Sequence, residues 1–191
     1  MEKIFFFGGS FDPPHIGHID IANICLNRCD TLIILPAKQS PFKSNKPSAS
    51  SAQRLELLNL SFHSVDNIII DDFELNSTKP NYTIYSIQHL KKKFPNTELT
   101  LVIGGDQWSN FNDWYKWKDI LKEVNIFCLN RSDLINENRY GSPNDVHFIK
   151  DFNCKISSTK IREMIKTNPE IARNSLHPGV FSYIMENGIY I

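Results

Sequence analysis

The stretch that decides the fold is Gly8-Gly9-Ser10-Phe11-Asp12-Pro13-Pro14-His15-Ile16-Gly17-His18. Before it, Lys3 to Phe7 form an apolar run typical of a buried strand, and after it residues 16–27 carry apolar side chains at helical spacing. We therefore predict a strand, a glycine-rich turn and a helix in succession. Glycines allow a ligand to approach the backbone closely, and the N–H groups of a helix N-terminus favour negative charge, so this junction is a candidate phosphate site.

Strand and helix patterns continue to alternate along the chain. Further strands are predicted at 31–35, 68–70, 99–103, 126–129 and, more weakly, 146–149, and helices at 52–62, 83–93, 119–122, 158–166 and 178–186. Repeated β-α units predict an α/β fold with a mostly parallel sheet and helices on both faces. The pattern contains neither an internal repeat nor a linker, so residues 1–191 are expected to form a single domain.

Composition and charge narrow the class of protein. Of 191 residues 41% are hydrophobic, and 21 Lys+Arg balance 21 Asp+Glu. A net charge of zero gives no overall field toward nucleic acid or anionic lipid, so we expect neither nucleic acid nor membrane as a partner. The longest early apolar run is too short for a signal peptide or a membrane span, and the cytoplasm is the expected compartment. A homo-oligomer is compatible with the sequence.

The four cysteines show no metal-site spacing. Cys25, Cys29, Cys128 and Cys154 contain no CxxC pair, and a reducing cytosol would keep them as thiols. We therefore expect structural thiols and no protein-bound metal.

Two helix starts carry candidate phosphate ligands. His15 and His18 are three residues apart, so both imidazoles could donate to one polyphosphate. The segment Ile156-Ser157-Ser158-Thr159-Lys160-Ile161-Arg162 opens a second helix with hydroxyls and cations. The alternative is two ordinary helix starts with incidental histidines, in which Asp12 is a local turn residue and Ser157 or Ser158 an N-cap.

Aromatic and polar residues near two other strand ends could bind a flat ring. Asp106, after Gly104-Gly105, could accept hydrogen bonds from ribose hydroxyls. Phe111, Trp114 and Trp117 recur every three residues, which is typical of a buried stripe, and Trp114 with Tyr115 is the better stacking candidate.

A helix start and a basic loop complete the candidates. In Asn81-Tyr82-Thr83, Thr83 is a candidate N-cap of a helix whose N–H groups could bind a carboxylate. The loop at 36–51 carries Lys38, Lys43 and Lys46. It is either a solvated basic loop or, as we hypothesise from its length, one that closes over substrate.

Taken in order, GGSFDPPHIGH, NYT, GGDQWSNFNDWYKW and ISSTKIR resemble the bacterial nicotinate-nucleotide adenylyltransferase family of HxGH nucleotidyltransferases. The resemblance spans residues 4–190. It implies a Rossmann-like, doubly wound fold that transfers AMP from ATP to the 5′-phosphate of nicotinate mononucleotide, giving nicotinate adenine dinucleotide and pyrophosphate in NAD synthesis. Ile19-Asp20-Ile21 is also similar to pantetheine-phosphate adenylyltransferases.

The resemblance also implies roles for single residues. On the ATP side it gives a catalytic set, His15, His18 and Arg162, and binding residues Gly8, Gly9, Ser10, Phe11, Gly104, Asp106, Ile156, Ser158 and Thr159. On the acceptor side it gives Thr83, Trp114 and Tyr115 around the pyridine ring, and backbone N–H groups near Ile84 and Tyr115 for its carboxylate. Basic positions are Arg131 and Lys43; the family commonly has Pro-Pro-His-Lys where this chain reads Ser40-Pro41-Phe42-Lys43.

The expected mechanism is direct in-line attack on the α-phosphorus without a covalent intermediate, because the incoming phosphate is already anionic. Mg²⁺ should arrive with ATP, since the sequence offers no carboxylate cage. The open alternatives are nicotinamide mononucleotide or 4′-phosphopantetheine as acceptor, and a non-catalytic nucleotide-binding module. A class I aminoacyl-tRNA synthetase fragment is disfavoured by the lack of a KMSKS-like motif and of basic surplus.

Overall fold

A six-stranded parallel sheet organises the part of the chain described by the computed structural model, which is residues 1–39, 46–129, 140, 141, 144, 146–149, 152, 154 and 156–191. The strands pair in the order β3-β2-β1-β4-β5-β6, and each neighbouring pair is parallel. Their bounds are β1 (Lys3–Gly9), β2 (Thr31–Pro36), β3 (Ile68–Ile70), β4 (Glu98–Gly104), β5 (Asn125–Leu129) and β6 (Val146–Ile149). The predicted strands are thereby confirmed.

The helices lie between and after these strands. Their bounds are α1 (Ile16–Leu26), α2 (Ser51–Phe62), α3 (Phe73–Asn76), α4 (Thr83–Lys93), α5 (Gly105–Ser109), α6 (Trp117–Glu123), α7 (Ser158–Thr167), α8 (Pro169–Arg173) and α9 (Pro178–Glu186), with a 3₁₀ turn at Phe111–Asp113. The sequence pattern does not predict α3, α5 and α8, because four or five residues are too few to show a helical period. Pro169, at the first turn of α8, is a helix-start signal in the sequence.

Alternate residues of the strands face two separate helical layers. Ile4 and Phe6 of β1 pack in a cluster with residues of α4 and α6, whereas Phe5 and Phe7 pack in a cluster with residues of α1 and α2. Both faces of the sheet are therefore covered, which explains the near-continuous apolar runs of the strands. This arrangement confirms the doubly wound α/β prediction.

The last three helices build a third cluster against α2. Ile161, Ile165, Val180 and Ile184 pack there with Leu57 of α2. The backbone N–H of Ile16 donates to the carbonyl of Ser175 at 3.0 Å. These contacts bring the start of α7 close to the end of β1, although the two are about 150 residues apart.

The strand order reverses direction between β1 and β4. The chain runs from β1 outward to β3 on one side, and β4, β5 and β6 lie on the other. Open sheets of this kind bind ligands in the crevice at the carboxyl ends of the strands, where the order reverses. In this sheet that crevice lies above Gly9 and Gly104.

Two further findings concern the ability of the helices to span a membrane and the state of the cysteine thiols. Among the helices described, none has the length and apolar character needed to cross a bilayer. All four cysteines are free, as predicted, and burial raises the pKa of the Cys128 thiol to about 12.

Arg54 ties the loop after β1 to the end of β2. Its side chain is buried, and Nη1 donates to the carbonyl oxygens of Ser10 and Ala37, each at 2.7 Å. Burial lowers the pKa of this guanidinium, and the nearby Asp12 carboxylate opposes the shift. Arg54 therefore holds the segment after β1 to the segment after β2.

We expect Arg54→Met to lower the free energy of unfolding by about 2–4 kcal/mol, because the buried carbonyl of Ala37 and the half-buried carbonyl of Ser10 lose their donor. Urea denaturation monitored by tryptophan fluorescence measures the loss. Arg28→Met is the matched control, since Arg28 is exposed and its Nη1 donates to Ile24 O within its own helix end. Equal losses in the two variants would contradict this account of Arg54.

Candidate functional site

Two adjoining cavities open at the carboxyl edge of the sheet. The larger, of about 740 Å³, is named here the glycine-loop cavity, and the smaller, of about 170 Å³, the aromatic cavity. They share Gly8, Gly9, Ser10 and Gln107 as lining residues. A molecule in one cavity would therefore meet a molecule in the other directly above the end of β1.

The glycine-loop cavity gathers all the residues predicted for the ATP side. Its lining includes Gly8, Gly9, Ser10, Phe11, His15, His18, Gly104, Asp106, Ile156, Ser158, Thr159 and Arg162. They come from the end of β1, the start of α1, the end of β4 and the start of α7. The sheet edge brings together segments that are up to 154 residues apart in sequence, from Gly8 to Arg162.

The turn after β1 leaves open space above Gly8. Phe11 adopts a left-handed conformation with φ of 46°, and its buried ring lies 3.0 Å from where a Cβ on Gly9 would be. A Cβ on Gly8 would meet nothing within 4 Å. The backbone at Gly8 is thus accessible to a ligand, whereas the absence of a side chain at Gly9 makes room for Phe11.

The rings of the two histidines lie close together at the start of α1, with an angle of 31° between their planes. Their ring centroids are 3.8 Å apart, and the backbone N–H of His15 donates to Nδ1 of His18 at 3.1 Å. Because Nδ1 of His18 accepts this bond, its neutral ring carries the proton on Nε2. From there it can donate to an anion.

The start of α7 is fixed to the glycine turn. Ser157 is the N-cap, with its hydroxyl accepting from the N–H of Lys160 at 3.3 Å, which confirms one of the two predicted cap positions. Ser158 Oγ donates to the carbonyl of Pro13 at 2.9 Å. The hydroxyl proton of Ser158 is therefore committed to a protein contact, and its backbone N–H is the group that remains suited to an anion.

Arg162 is held at the border of the same cavity. Its Nη1 donates to the backbone oxygen of Asp12 at 2.7 Å and lies 3.6 Å from Oδ2 of that residue. Its Nη2 donates to Thr159 Oγ1 at 3.4 Å. The guanidinium thus places a positive charge at the lining of the glycine-loop cavity.

Asp12 is a site residue whose long-range contacts the sequence pattern does not predict. Its buried carboxylate accepts hydrogen bonds from the N–H groups of Ser48 and Ala49, at 2.7 and 2.9 Å, and from the hydroxyl of Tyr190 at 2.8 Å. The interpretation of Asp12 as a local turn residue is wrong, because these partners lie 36 to 178 residues away. Its position inside the glycine stretch was the one available signal.

The end of β4 contributes Gly104 and Asp106. Gly104 N–H donates to Gln107 Oε1 at 3.0 Å, and a Cβ on Gly104 would lie 2.6 Å from Asp106 Oδ1. The missing side chain lets Asp106 fold back beside the strand end, where it is exposed and lines the glycine-loop cavity. An exposed carboxylate there can accept hydrogen bonds from ligand hydroxyl groups.

The aromatic cavity contains the predicted stacking residues. Trp114 is half-buried, with its ring 5.0 Å from Phe111, and Tyr115 is 42% exposed. The Tyr115 ring lies 4.6 Å from that of Tyr82 across the cavity lining. Of the predicted stripe, Phe111 belongs to the core and Trp114 lines the cavity, so the stripe has both roles.

Thr83 lies in the aromatic cavity for a different reason from the predicted one. The N-cap position of α4 is Tyr82, and Thr83 is the first helical residue, so the prediction of Thr83 as N-cap is wrong. The backbone N–H groups of Thr83 and Ile84 belong to the first turn, where helices leave donors without intrahelical partners. The Ile84 side chain is buried in the core, so only its backbone can serve a ligand.

Glu74 is a second functional residue that sequence reasoning missed. It lines the aromatic cavity, is buried, and accepts a hydrogen bond from Ser86 Oγ at 2.6 Å. Burial raises its pKa to about 7, and nearby Asp71 adds to the shift. Its backbone oxygen also accepts from Asn81 Nδ2 at 2.9 Å, which holds the segment before α4.

The remaining basic candidates divide between described and undescribed residues. Lys46 lines the glycine-loop cavity, and Lys38 Nζ donates to the carbonyl of Ser77 at 3.2 Å. Lys43, with Phe42, and Arg131 lie outside the described residues, so their roles stay predictions, as does closure of the loop at 36–51.

Carboxylates are sparse around the glycine-loop cavity. Its lining includes Asp12 and Asp106, and no group of three or more His, Cys, Asp or Glu suited to a metal occurs among the residues that the structure describes. The carboxylate of Asp12 is already engaged by protein donors. These residues suit a metal that enters on a ligand better than one held by the protein alone.

Comparison with known proteins agrees with this geometry. A profile of the cytidylyltransferase-like family matches residues 6–164. A probable nicotinate-nucleotide adenylyltransferase of Methylacidiphilum infernorum (isolate V4) is 36% identical over 194 residues, covering 99% of this chain and 92% of the relative. A relative of the same description from Hydrogenobaculum sp. (strain Y04AAS1) is 37% identical over 191 residues, covering 98% and 97%.

A solved structure confirms the fold. Plasmodium falciparum nicotinic acid mononucleotide adenylyltransferase, complexed with NaAD, superposes with a TM-score of 0.81 at 19% identity, covering 100% of this chain and 98% of the other. The profile match defines the class as the cytidylyltransferase-like nucleotidyltransferases. Within that class, on the full-length similarity, the chain belongs to the nicotinate-nucleotide adenylyltransferase family.

We expect Glu74→Gln to be more stable than the wild type at pH 8 and about equal to it at pH 5. Folding raises the pKa of Glu74 from 4.5 to about 7, so its stabilising contribution is complete below pH 4.5 and is lost as pH rises through 7. The neutral amide avoids that loss, which we put at about 2–4 kcal/mol. Urea denaturation at both pH values measures it.

The control for Glu74 is Glu56→Gln, at an exposed position on α2. We expect its stability difference from the wild type to be the same at both pH values. A Glu74→Gln variant whose stability difference also does not change with pH would contradict the buried-acid account.

We expect Gly17→Ala to destabilise the protein by about 1–3 kcal/mol, although alanine normally favours a helix. A Cβ at Gly17 would lie 2.2 Å from Sγ of Cys154 and 3.1 Å from the His15 ring. Gly8→Ala is the control, because its Cβ meets nothing. Adding Cys154→Ala to Gly17→Ala should restore most of the loss; failure of this rescue in thermal denaturation would rule out the Sγ contact as its cause.

Proposed function

We propose that this protein transfers AMP from ATP to the 5′-phosphate of nicotinate mononucleotide, forming nicotinate adenine dinucleotide and pyrophosphate in NAD synthesis. The observation that carries the proposal is the meeting of the two cavities at Gly8, Gly9, Ser10 and Gln107. A nucleotide donor fits the larger, polar cavity and a pyridine ring the smaller, aromatic one. Their reacting phosphates would then meet above the end of β1.

ATP is assigned to the glycine-loop cavity. The phosphates of ATP would lie beside the Nε2 proton of His18 and the charge of Arg162. The N–H groups at the start of α7 border the same region. Asp106 would accept from the ribose hydroxyls, as its exposed position beside Gly104 allows. The His15 ring lies against that of His18 and would complete the phosphate-binding surface.

Nicotinate mononucleotide is assigned to the aromatic cavity. Trp114 would stack on the pyridine ring, with Tyr115 and Tyr82 at the side of the cavity. Backbone N–H groups in the first turn of α4 and near Tyr115 would receive the carboxylate. A flexible pantetheine arm would make no use of these rings, which favours a pyridine acceptor.

The proposed reaction is one in-line displacement. A phosphate oxygen of the acceptor forms a bond to the α-phosphorus of ATP, and the bond from that phosphorus to its bridging oxygen breaks, releasing pyrophosphate. The acceptor oxygen is already anionic near neutral pH, so the protein positions the reactants and neutralises charge. As negative charge shifts toward the leaving oxygens, His18 and Arg162 stabilise it.

Mg²⁺ is assigned to the substrate rather than to the protein. It would enter on the phosphates of ATP and supply further charge neutralisation to the leaving pyrophosphate. The engagement of Asp12 by protein donors supports this assignment. We further propose that residues 1–191 act as one nucleotidyltransferase domain in the cytoplasm, which the four free cysteines support.

A pyrophosphate-release assay with ATP and Mg²⁺ tests the function. Nicotinate mononucleotide, nicotinamide mononucleotide and 4′-phosphopantetheine are offered in parallel, and we expect the first to be strongly preferred. Equal use of both pyridine nucleotides would overturn the proposed carboxylate recognition. Turnover with phosphopantetheine alone would overturn the assignment of the aromatic cavity, and ATP binding without turnover would indicate a non-catalytic module.

We expect His18→Ala to lower kcat by more than tenfold, about 1.4 kcal/mol of transition-state stabilisation. Its imidazole is the donor best placed to follow charge onto the leaving group. Steady-state pyrophosphate release at saturating substrates measures the change, with His63→Ala as the control at an exposed position that lines neither cavity. A loss of less than tenfold would exclude the transition-state role.

A further inference from the structure

The residues that follow α9 return to the glycine turn at the other end of the sequence. Gly188 and Tyr190 have φ of 60° and 70°, and the N–H of Ile189 donates to the carbonyl of Ile184 at 3.0 Å. A left-handed conformation is costly for a residue with a Cβ, so packing and hydrogen bonding must stabilise it at Tyr190. The chain is turned so that the Tyr190 ring enters the third cluster.

The Tyr190 hydroxyl completes the surroundings of a buried charge. It donates to Asp12 Oδ1 at 2.8 Å, and both side chains are buried. Burial and the adjacent Asp12 carboxylate raise the pKa of Tyr190, so the phenol keeps its proton and remains a donor. With the N–H groups of Ser48 and Ala49, it gives the carboxylate three hydrogen bonds.

Asp12 in turn orients a group of the reaction site. Arg162 Nη1 is bonded to the Asp12 backbone oxygen and lies 3.6 Å from its carboxylate. A shift of Asp12 would therefore move the guanidinium relative to the phosphates. Tyr190 does not line the glycine-loop cavity, whereas Asp12, to which its hydroxyl donates, does.

We propose that Tyr190 is a positioning residue for nucleotidyl transfer, which orients Arg162 by fixing the Asp12 carboxylate. The inference rests on the proposed function. Loss of the hydroxyl leaves Asp12 with one donor fewer, and the carboxylate is then free to form a closer ion pair with Arg162. That closer pair draws the guanidinium away from the phosphate groups.

Tyr190→Phe removes only the hydroxyl, and its effect is measured as kcat, the KM of each substrate and Tm. We expect kcat to fall by about tenfold or more and the KM of ATP to rise, with the KM of the acceptor unchanged, because Arg162 borders the cavity assigned to ATP and not the aromatic cavity. Tyr183→Phe is the matched control, since this ring is half-buried against the same cluster. Wild-type kcat in Tyr190→Phe would overturn the proposal.

A variant that lowers stability alone distinguishes an effect on the position of Arg162 from an effect on folding. Ile189→Val removes one methylene group from the same cluster and retains the Tyr190 hydroxyl. We expect it to lower Tm while kcat stays at the wild-type value. A fall in kcat that follows Tm across all three variants would show a merely structural role and overturn the proposal.

A double-mutant cycle with Arg162→Lys tests the route of the effect. If Tyr190 acts through Arg162, Tyr190→Phe should change kcat little once the guanidinium is gone. The same fold-decrease in kcat with arginine and with lysine at position 162 would contradict the route through Arg162.

Measurement of ATP binding distinguishes failure of this proposal from failure of the proposed function. If the wild type binds ATP but forms no product with any acceptor, the proposed function fails and ATP affinity becomes the readout. We then expect Tyr190→Phe to weaken ATP binding in calorimetry by about tenfold, and Tyr183→Phe to leave it unchanged. Unchanged affinity in Tyr190→Phe would overturn the positioning role.

Discussion

The burial of the Asp12 carboxylate is the constraint on which the site depends. A charge removed from water must be met by donors, and here these come from the segment before α2 and from the residues after α9. Arg162 of α7 adds a positive charge at its edge. One carboxylate thus fixes three distant parts of the chain around the glycine turn.

The order of the strands in the sheet is the second constraint, because it determines where the crevice lies. Because β1 and β4 are neighbours whose connections leave in opposite directions, the loops after them diverge and leave a crevice. Arg54 closes one side by joining the ends of β1 and β2, and the buried pair of Glu74 and Ser86 shapes the other. The larger cavity carries the two histidines and Arg162, and the smaller one carries the rings of Tyr82, Trp114 and Tyr115. This division matches two substrates of different chemistry.

Periodicity was sufficient to predict the sheet and the longer helices, because it is a local property of the sequence. The strands were predicted from the apolar runs of β1, β2, β4 and β5. The helices were predicted from the apolar spacing in α1, α2, α4, α7 and α9. The motifs also located the two cavities, since strand ends and helix starts are local too. The partners of Asp12, the burial of Glu74 and the use of the Ser158 hydroxyl by Pro13 could not be predicted. Each depends on contacts between residues far apart in sequence, 12 residues for Glu74 and Ser86 and 145 for Ser158 and Pro13.

The hydrogen bond between Tyr190 and Asp12 also makes the site depend on both ends of the chain at once. It joins residues 178 positions apart. A chain in which α7, α8 and α9 are undocked from the sheet has neither Arg162 nor Tyr190 beside Asp12. The set of groups around the glycine-loop cavity is therefore complete only when the last three helices are docked.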